Sequence, residues 1–219
     1  MRILALDTSL AAAAACVYDA AAGQILAAET VWQARGHDQT LTPLIARVTA
    51  AAGGRAGIDR IAVTVGPGSF TGLRIGISTA KAIGLAFGAP VVGVSTLSAY
   101  IAPLAARAPG GGVAAAAIDA RHGRVFVAAF VDGRPVLAPR IAAAREAVRA
   151  FGAGPVLLAG PAAAALAIEA WRLGMEADVV NDAAAPDIVY VARLGASADP
   201  ASAPARPLYL SAPETTLGG

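Results

Sequence analysis

The sequence predicts an α/β protein of two similar lobes, each a mixed β-sheet flanked by helices, and three observations carry that prediction. Short apolar runs alternate along the chain with stretches of helical periodicity. Their order, three strands followed by helix, strand, helix, strand or βββαβαβα with the closing helix, occurs twice. A turn-rich segment, RAPGGG at 107–112, separates the two occurrences.

In the first half, RILALD (2–7), AAAAACVY (11–18) and QILAAETV (24–31) read as a meander of three strands, with DAAAG as the turn between the second and third. Residues 38–52 place Leu41, Leu44, Ile45 and Val48 at helical spacing and stop at Gly53 and Gly54. Strand IAVTV (61–65), a helix from Phe70 to Phe87, strand PVVGV (90–94) and a helix from Ser95 to Arg107 complete the half. The second half repeats the plan. AAAAID (114–119), RVFVAAFV (124–131) and PVLA (135–138) form its meander, followed by a helix at 141–150, strand PVLLA (155–159), a helix at 162–173, strand ADVV (177–180) and a helix at 186–197. LALD at 4–7 matches AAID at 116–119, and each is followed by a further turn aspartate, Asp19 and Asp132. A meander followed by βαβα, present twice, is the plan of actin-like, ribonuclease-H-like (ASKHA) lobes, so lobes at 1–107 and 108–219 with a cleft between them are expected. There the first strand of each lobe ends at the cleft, with Asp7 and Asp119.

Composition narrows the function classes. The formal net charge is +2 and no run of basic residues forms a stripe, which gives no support to autonomous RNA binding. Cys16 is the single cysteine, so there is no intrachain disulfide framework, and it reads as a small core residue. The opening MRILALDTSLAAAAAC resembles an export signal only until Asp7 interrupts the apolar run, which favours a cytoplasmic protein. The longest weakly polar stretch, Leu73 to Val94, contains Arg74 and Lys81 and is broken by Gly88 and Pro90, so no spanning helix is expected.

The two strand-end aspartates admit two readings. Facing one cleft, Asp7 and Asp119 would hold Mg²⁺ through water beside nucleotide phosphates, with Thr8 and Ser9 in contact; alternatively they close strand-end turns. Neither is followed directly by glycine, the residue that lets a phosphate approach the backbone. The stretch VGPGSFTGLRIGIS (65–78) fails both phosphate-loop patterns, because Thr71 stands where the second glycine of G-x-x-x-x-G-K-[ST] and the third of G-x-G-x-x-G belong. Ser69 is placed as an N-cap and Gly88 as a C-terminal stop. Between them Gly72, Gly76, Ala80 and Gly84 recur every four residues and line one face. Three interior glycines forgo on the order of 3 kcal/mol of helix propensity relative to alanine. A second helix packed unusually close, in the same chain or in another, would offset that loss. GVSTL (93–97) lacks the second glycine of a nucleophile elbow, so Ser95 reads as a helix cap. His37 has Leu41 where a metal-binding partner one turn on would stand, and His122 falls in a hairpin turn, so no metal site is expected.

ILALDTS, VTVGPGSFTGLRIGISTAKAIGLA (63–86), GVSTLSA (93–99) and IDARHGRVF (118–126) together resemble the TsaB (YeaZ) family, with HDQTLTPLI (37–45) and RPLYL (206–210) as further similar segments. A similar glycine block occurs in the catalytic paralogue TsaD, but that protein carries an HxxxH metal pair, which Leu41 excludes here. The resemblance implies a glycoprotease-like-superfamily subunit, not itself an enzyme, required for threonylcarbamoylation of adenosine 37 (t6A37) in tRNA. It implies binding and activation of a TsaD-like catalytic subunit, a TsaE-like ATPase in the complex, tRNA engaged through the complex, and a homodimer when isolated. In such proteins the helices of the first lobe form the interface with TsaD, which places the partner on Gly72, Gly76, Ala80 and Gly84. On that reading Gly76→Leu leaves the isolated chain folded and abolishes pairing. No cofactor is implied beyond weak adenine-nucleotide binding with Mg²⁺. Ser211 departs from the arginine common after PLYL. The rival function is an actin-like nucleotide hydrolase or phosphotransferase using Asp7 and Asp119.

Overall fold

The computed structural model describes residues 1–108, 110–152 and 154–210; Pro109 of the expected boundary segment and Ser211 lie outside them. In the first half the chain forms β1 (Arg2–Asp7), β2 (Ala12–Asp19), β3 (Gln24–Trp32), α1 (His37–Ala51), β4 (Ile58–Gly66), α2 (Phe70–Phe87), β5 (Val91–Ser95) and α3 (Thr96–Ala105). The second half adds β6 (Val113–Asp119), β7 (Arg124–Val131), β8 (Arg134–Ala143), α4 (Ala144–Arg149), β9 (Val156–Ala159), α5 (Ala163–Arg172), β10 (Ala177–Asn181) and α6 (Ile188–Ser197).

The two sheets have the same order. The first runs β3-β2-β1-β4-β5 and the second β8-β7-β6-β9-β10, each with an antiparallel meander on one side of its first strand and parallel strands on the other. The two-lobed α/β architecture read from the element order is therefore the observed one. Parallel pairing demands crossovers: α2 joins β4 to β5 and α5 joins β9 to β10, while α1 and α4 lie on the longer returns to β4 and β9.

Met1–Ala99 and Ala184–Leu208 pack into one compact unit, and the second is built on Tyr100–Ala183. This division differs in two ways from the one expected at 107/108: the observed break falls within α3, and α6, assigned by sequence to the second lobe, packs on the first sheet. The reason is specific side-chain chemistry. Ile188, Val191 and Ala192 of α6 join Ile3, Ala5, Cys16, Ala62 and Val92 in one buried cluster. Gly195 lies so close to β4 that a Cβ there would meet the Ala62 methyl. Nη1 of Arg60 donates to the carbonyls of Gly195 (2.9 Å), Ala196 (3.0 Å) and Ala198 (2.7 Å), capping the α6 C-terminus with a cation.

The opposite face of the first sheet is covered by α1 and α2, which bury Leu41, Leu44, Val48, Leu73 and Ile77 against Leu4, Leu6, Ile61 and Val63. In the second unit α4 and α5 bury Ala147, Val148, Leu166 and Ala170 against β6, β7 and β9. The strand expected at 135–138 is ten residues long and α4 only six, because β7 takes a partner along its length and pairs Arg124 with Ala143. Among the described residues no helix is long and apolar enough to cross a membrane.

Candidate functional site

The functional residues expected in the first half gather where the β1–β2 turn meets the start of α2. Ser69 has extended backbone angles and its Oγ accepts from the Gly72 amide at 3.3 Å, so it caps the helix as expected. Gly88 ends it in the left-handed region at φ 65°. Between these caps Leu73, Ile77 and Ala80 face the sheet. The turn after β1 docks directly on the helix. Thr8 Oγ1 donates to the Gly72 carbonyl at 2.7 Å, and the Ser69 amide donates to the Ser9 carbonyl at 2.7 Å.

This docking consumes the small-residue face. A Cβ at Gly68 would run into the Ser9 carbonyl, and one at Gly72 into the Thr8 carbonyl oxygen. At Gly76 it would stand 2.5 Å from Thr8 Oγ1 and 3.5 Å from Val63 Cγ2; at Gly84 it would meet Val91 and the Ala89 carbonyl. Ala80 is fully buried. Gly72, Gly76, Ala80 and Gly84 are therefore not a surface for another chain. The close partner inferred from their spacing is the protein's own β1–β2 turn with β4 and β5, a backbone segment in place of a second helix. The expectation that Gly76→Leu spares folding falls with it.

Asp7, Thr8 and Ser9 are equally enclosed, with exposures of 0%, 1% and 0%. Asp7 Oδ1 accepts three hydrogen bonds, from the Ser9 amide (3.0 Å), Ser9 Oγ (2.6 Å) and Thr64 Oγ1 (2.5 Å). Its Oδ2 is buried with no hydrogen-bond partner. Burial raises the carboxyl above its ordinary value, opposed by the hydroxyls of Ser9 and Thr64, the Ser9 amide and the His37 ring. Full burial and these three hydrogen bonds make Asp7 a closer of its own strand-end turn, the second of the two readings that its sequence position admits for it. Asp119 is exposed, and its Oδ1 accepts from the Arg121 amide at 2.8 Å, an Asx turn.

His37 is buried, and its Nε2–H donates to the Leu10 carbonyl at 3.0 Å, tying the start of α1 to the same turn. Leu41, one turn on, is a core residue at 1% exposure. The Cys16 thiol is buried in the second layer of this unit, and burial, with the Asp187 carboxylate, pushes it up to about 12. Ser95 caps α3 through the Ser98 amide (3.4 Å).

Sequence reasoning passed over the opposite face of α2. Phe70 is 54% and Leu85 88% exposed, Arg74 lays its guanidinium over the Phe70 ring at 3.8 Å, and Ser78, Lys81 and Ala82 complete an open stripe. A pocket of about 260 Å³ borders it, lined by Ala34–Asp38 before and within the first turn of α1 and by Ser69, Thr71, Gly72 and Ile75 of α2. The signal was present in the helical wheel: two large apolar residues lie opposite the glycines.

Comparisons with known proteins agree with the motifs. Residues 24–191 match the family model for the tRNA N6-adenosine threonylcarbamoyltransferase, TsaD. The chain is 35% identical over 148 residues to an uncharacterized protein of Mycobacterium tuberculosis, covering 66% of each. It is 37% identical over 131 residues to the tRNA threonylcarbamoyladenosine biosynthesis protein TsaB of Escherichia coli, covering 59% of this chain and 55% of that one. The matched stretches thus span less than two thirds of these relatives' lengths. The structure of YeaZ from Pseudomonas aeruginosa superposes with a TM-score of 0.71 at 27% identity, over 95% of this chain and 99% of that one. A ROK hexokinase from Thermus thermophilus shares the fold alone, with a TM-score of 0.54 at 15% identity. With the DTS turn, the glycine block that receives it and the two-sheet plan all in place, the chain belongs to the TsaB (YeaZ) family, within the wider threonylcarbamoyltransferase family whose model it matches.

Proposed function

We propose that this protein is a non-catalytic subunit of the cytoplasmic machinery that installs threonylcarbamoyl on adenosine 37 of tRNA, and that it binds and activates a TsaD-like transferase subunit. The observation that carries the reading is the outward stripe of α2. Leu85 at 88% exposure, Phe70 under the Arg74 guanidinium, and the adjoining pocket form an apolar-centred surface with a basic rim on a helix whose inner face is docked on the β1–β2 turn. The glycine face supports this indirectly, because docking the β1–β2 turn against it fixes the helix and the orientation of its outer side chains. The buried, turn-closing Asp7 supports a role without phosphoryl chemistry at that residue. In this reading the same stripe pairs two copies when the chain is alone, a TsaE-like ATPase joins through the TsaD-like subunit, and tRNA is engaged by the assembly.

The double variant Phe70→Ala/Leu85→Glu tests it. Both positions are exposed, so folding stability should stay within about 0.5 kcal/mol of the parent per substitution. Co-purification with the TsaD-like subunit and t6A formation by the reconstituted complex should both fall at least tenfold. Undiminished pairing by the folded variant would show that the partner sits elsewhere.

A further inference from the structure

The outermost strands of the two sheets are β3 and β5 in the first and β8 and β10 in the second, and three of them carry their own protection against further pairing. β8 holds Arg134, Pro135, Pro139 and Arg140. β10 is five residues long and bears Asp178. β3 carries Glu29, ion-paired with Arg47, and a break in register opposite Val17 and Tyr18. β5 has none of these devices. Its five residues, VVGVS, contain no charge and no proline, and the central glycine leaves room for another backbone to approach.

The chain itself covers that edge. After α6 the segment 199–208 begins with a turn in which the Ser202 and Ala203 amides donate to the Asp199 carbonyl (3.1 and 2.9 Å) and the Ala201 amide donates to Asp199 Oδ1 (3.1 Å). It then passes antiparallel to β5, bridging Val92 with Pro204, and the Gly93 amide donates to the Ala203 carbonyl at 2.9 Å. A Cβ at Gly93 would stand 2.7 Å from the Pro204 carbonyl oxygen. Further along, Ala205 is buried at 4% exposure, Leu208 packs against the same apolar cluster, and the Leu208 amide donates to the Val65 carbonyl at 2.7 Å. Pro204 and Pro207 have no amide hydrogen to offer, so this strap closes the sheet without presenting a full new edge.

We propose that the segment 199–208 is an edge strap that keeps β5 from pairing with β5 of a second copy of this chain, and that its release opens this self-association site. The strap shows which polarity the edge accepts: antiparallel, the polarity that two copies of one strand adopt about a two-fold axis. Gly93 already points its amide outward, so Gly93 opposite Gly93 can exchange both backbone hydrogen bonds. That register sets Val92 of one copy across from Val94 of the other, both from the face buried under α6, and no charge within β5 opposes the approach. The contact is separate from the α2 stripe and stands or falls without it.

The test lifts the strap in the full-length chain with Ala205→Glu and, more gently, with Leu208→Asp, each of which places a carboxylate in an apolar seat. Both are made in the Phe70→Ala/Leu85→Glu background, so that pairing through α2 does not contribute. Light scattering should show the background protein holding one mass as concentration rises and the strap variants doubling theirs. At the lowest concentration the Gly93 amide of the variants should exchange with solvent about tenfold faster than in the background protein, and it should slow again as the dimer fills. A peptide of residues 199–208 added in trans should return the variants to the lower mass. Leu44→Ala, a core truncation of the same unit away from the strap, should stay at the lower mass. Four results would overturn the proposal. They are strap variants with a fast Gly93 amide and an unchanged mass, equal self-association by Leu44→Ala, a raised mass on which the peptide has no effect, and unfolding of both variants, which would make the segment a part of the core that never leaves it.

Discussion

The turns after β1 and after β6 occupy the same place in two sheets of the same strand order, and both begin with an aspartate that closes the strand. Their surroundings could hardly differ more. Asp7-Thr8-Ser9 is sealed, with Asp7 bonded to Thr64 across the sheet and Thr8 pressed on the glycines of α2. Asp119 and the two residues of the turn at 121 and 122 are exposed, and the turn bends through left-handed residues braced by the Asp119 side chain and by local backbone hydrogen bonds. In the first unit the crossover helix approaches close enough to lock the turn; in the second the corresponding helix, α5, is reached near Ala117, where Gly160 makes the close approach and the Ala162 amide bonds to the Ala117 carbonyl at 3.1 Å. One topology thus yields one hairpin used as an internal latch and another left open, and the difference is set by where the glycines stand.

The comparison breaks most sharply at Gly72. Replacing a mid-helix glycine with alanine on an open face gains about 1 kcal/mol of helix propensity. At Gly72 the added methyl would enter the space of the Thr8 carbonyl oxygen, a backbone atom fixed by β1. Overpacking against fixed atoms costs typically 1–3 kcal/mol, and displacing the turn also loses the Thr8–Gly72 and Ser9–Ser69 hydrogen bonds. Gly72→Ala is therefore expected to lower stability by about 2–4 kcal/mol, read as a shift of the urea midpoint. A neutral or stabilised variant would mean that the turn yields easily and is no latch.

The extent to which this arrangement was legible in the sequence follows from the range of each signal. The ends of α2 were readable at Ser69 and Gly88 because caps act within four residues. The periodicity of Gly72, Gly76, Ala80 and Gly84 stated that something comes close, and it does. It could not state what, because four-residue spacing encodes a tolerated distance and carries no information about the partner. Thr8 lies sixty-four residues from Gly72, and nothing local to DTS announces a helix to receive it. The fate of α6 was hidden for the same reason: its place on the first sheet depends on Arg60 finding three carbonyls about 135 residues further on. Asp7 was legible as a residue with a task, and two tasks stayed open for it because burial, which bears on the choice between a ligand and a turn closer, is a property of the assembled unit. The exposed stripe on α2 carries a weaker signal, because Phe70 and Leu85 are fifteen residues apart with Arg74, Ser78, Lys81 and Ala82 between them on that face.

A second difference concerns charge. Burial raises the Asp7 carboxyl above its ordinary value, so the folded chain holds the proton more tightly than the unfolded chain does. The stability linked to this proton is fully present below the ordinary carboxylate range and is lost as pH rises through the raised value. Asn at position 7 keeps an oxygen for Ser9 and Thr64 and cannot ionise. Relative to the parent, Asp7→Asn should therefore be at its most favourable near neutral pH and lose that advantage as the pH falls toward 4, measured by urea denaturation at several pH values. A parent chain that gains on the variant as pH rises would show that the three hydrogen bonds to Oδ1 outweigh desolvation and that Asp7 is held ionised. An unchanged ability to support t6A formation in the folded variant would also separate the turn-closing role from phosphoryl chemistry.

The smallest effect belongs to the matching aspartate of the second unit. Asp119→Ala removes one hydrogen bond, from the Arg121 amide to Oδ1, at a site where water can replace it. A single exposed bond of this kind contributes about 0.5–1 kcal/mol, so the midpoint of unfolding should move little. The turn itself should respond more than the fold, because the Asx bond is what holds Arg121 in the left-handed region against its steric preference. Amide exchange at Arg121 and His122 is therefore expected to accelerate several-fold while the rest of β6 and β7 keeps its protection. Were Asp119→Ala instead as costly as a change in the sealed turn, the second hairpin would have to be packed as tightly as the first, and the division of the duplicated turn into one latch and one open turn would not hold.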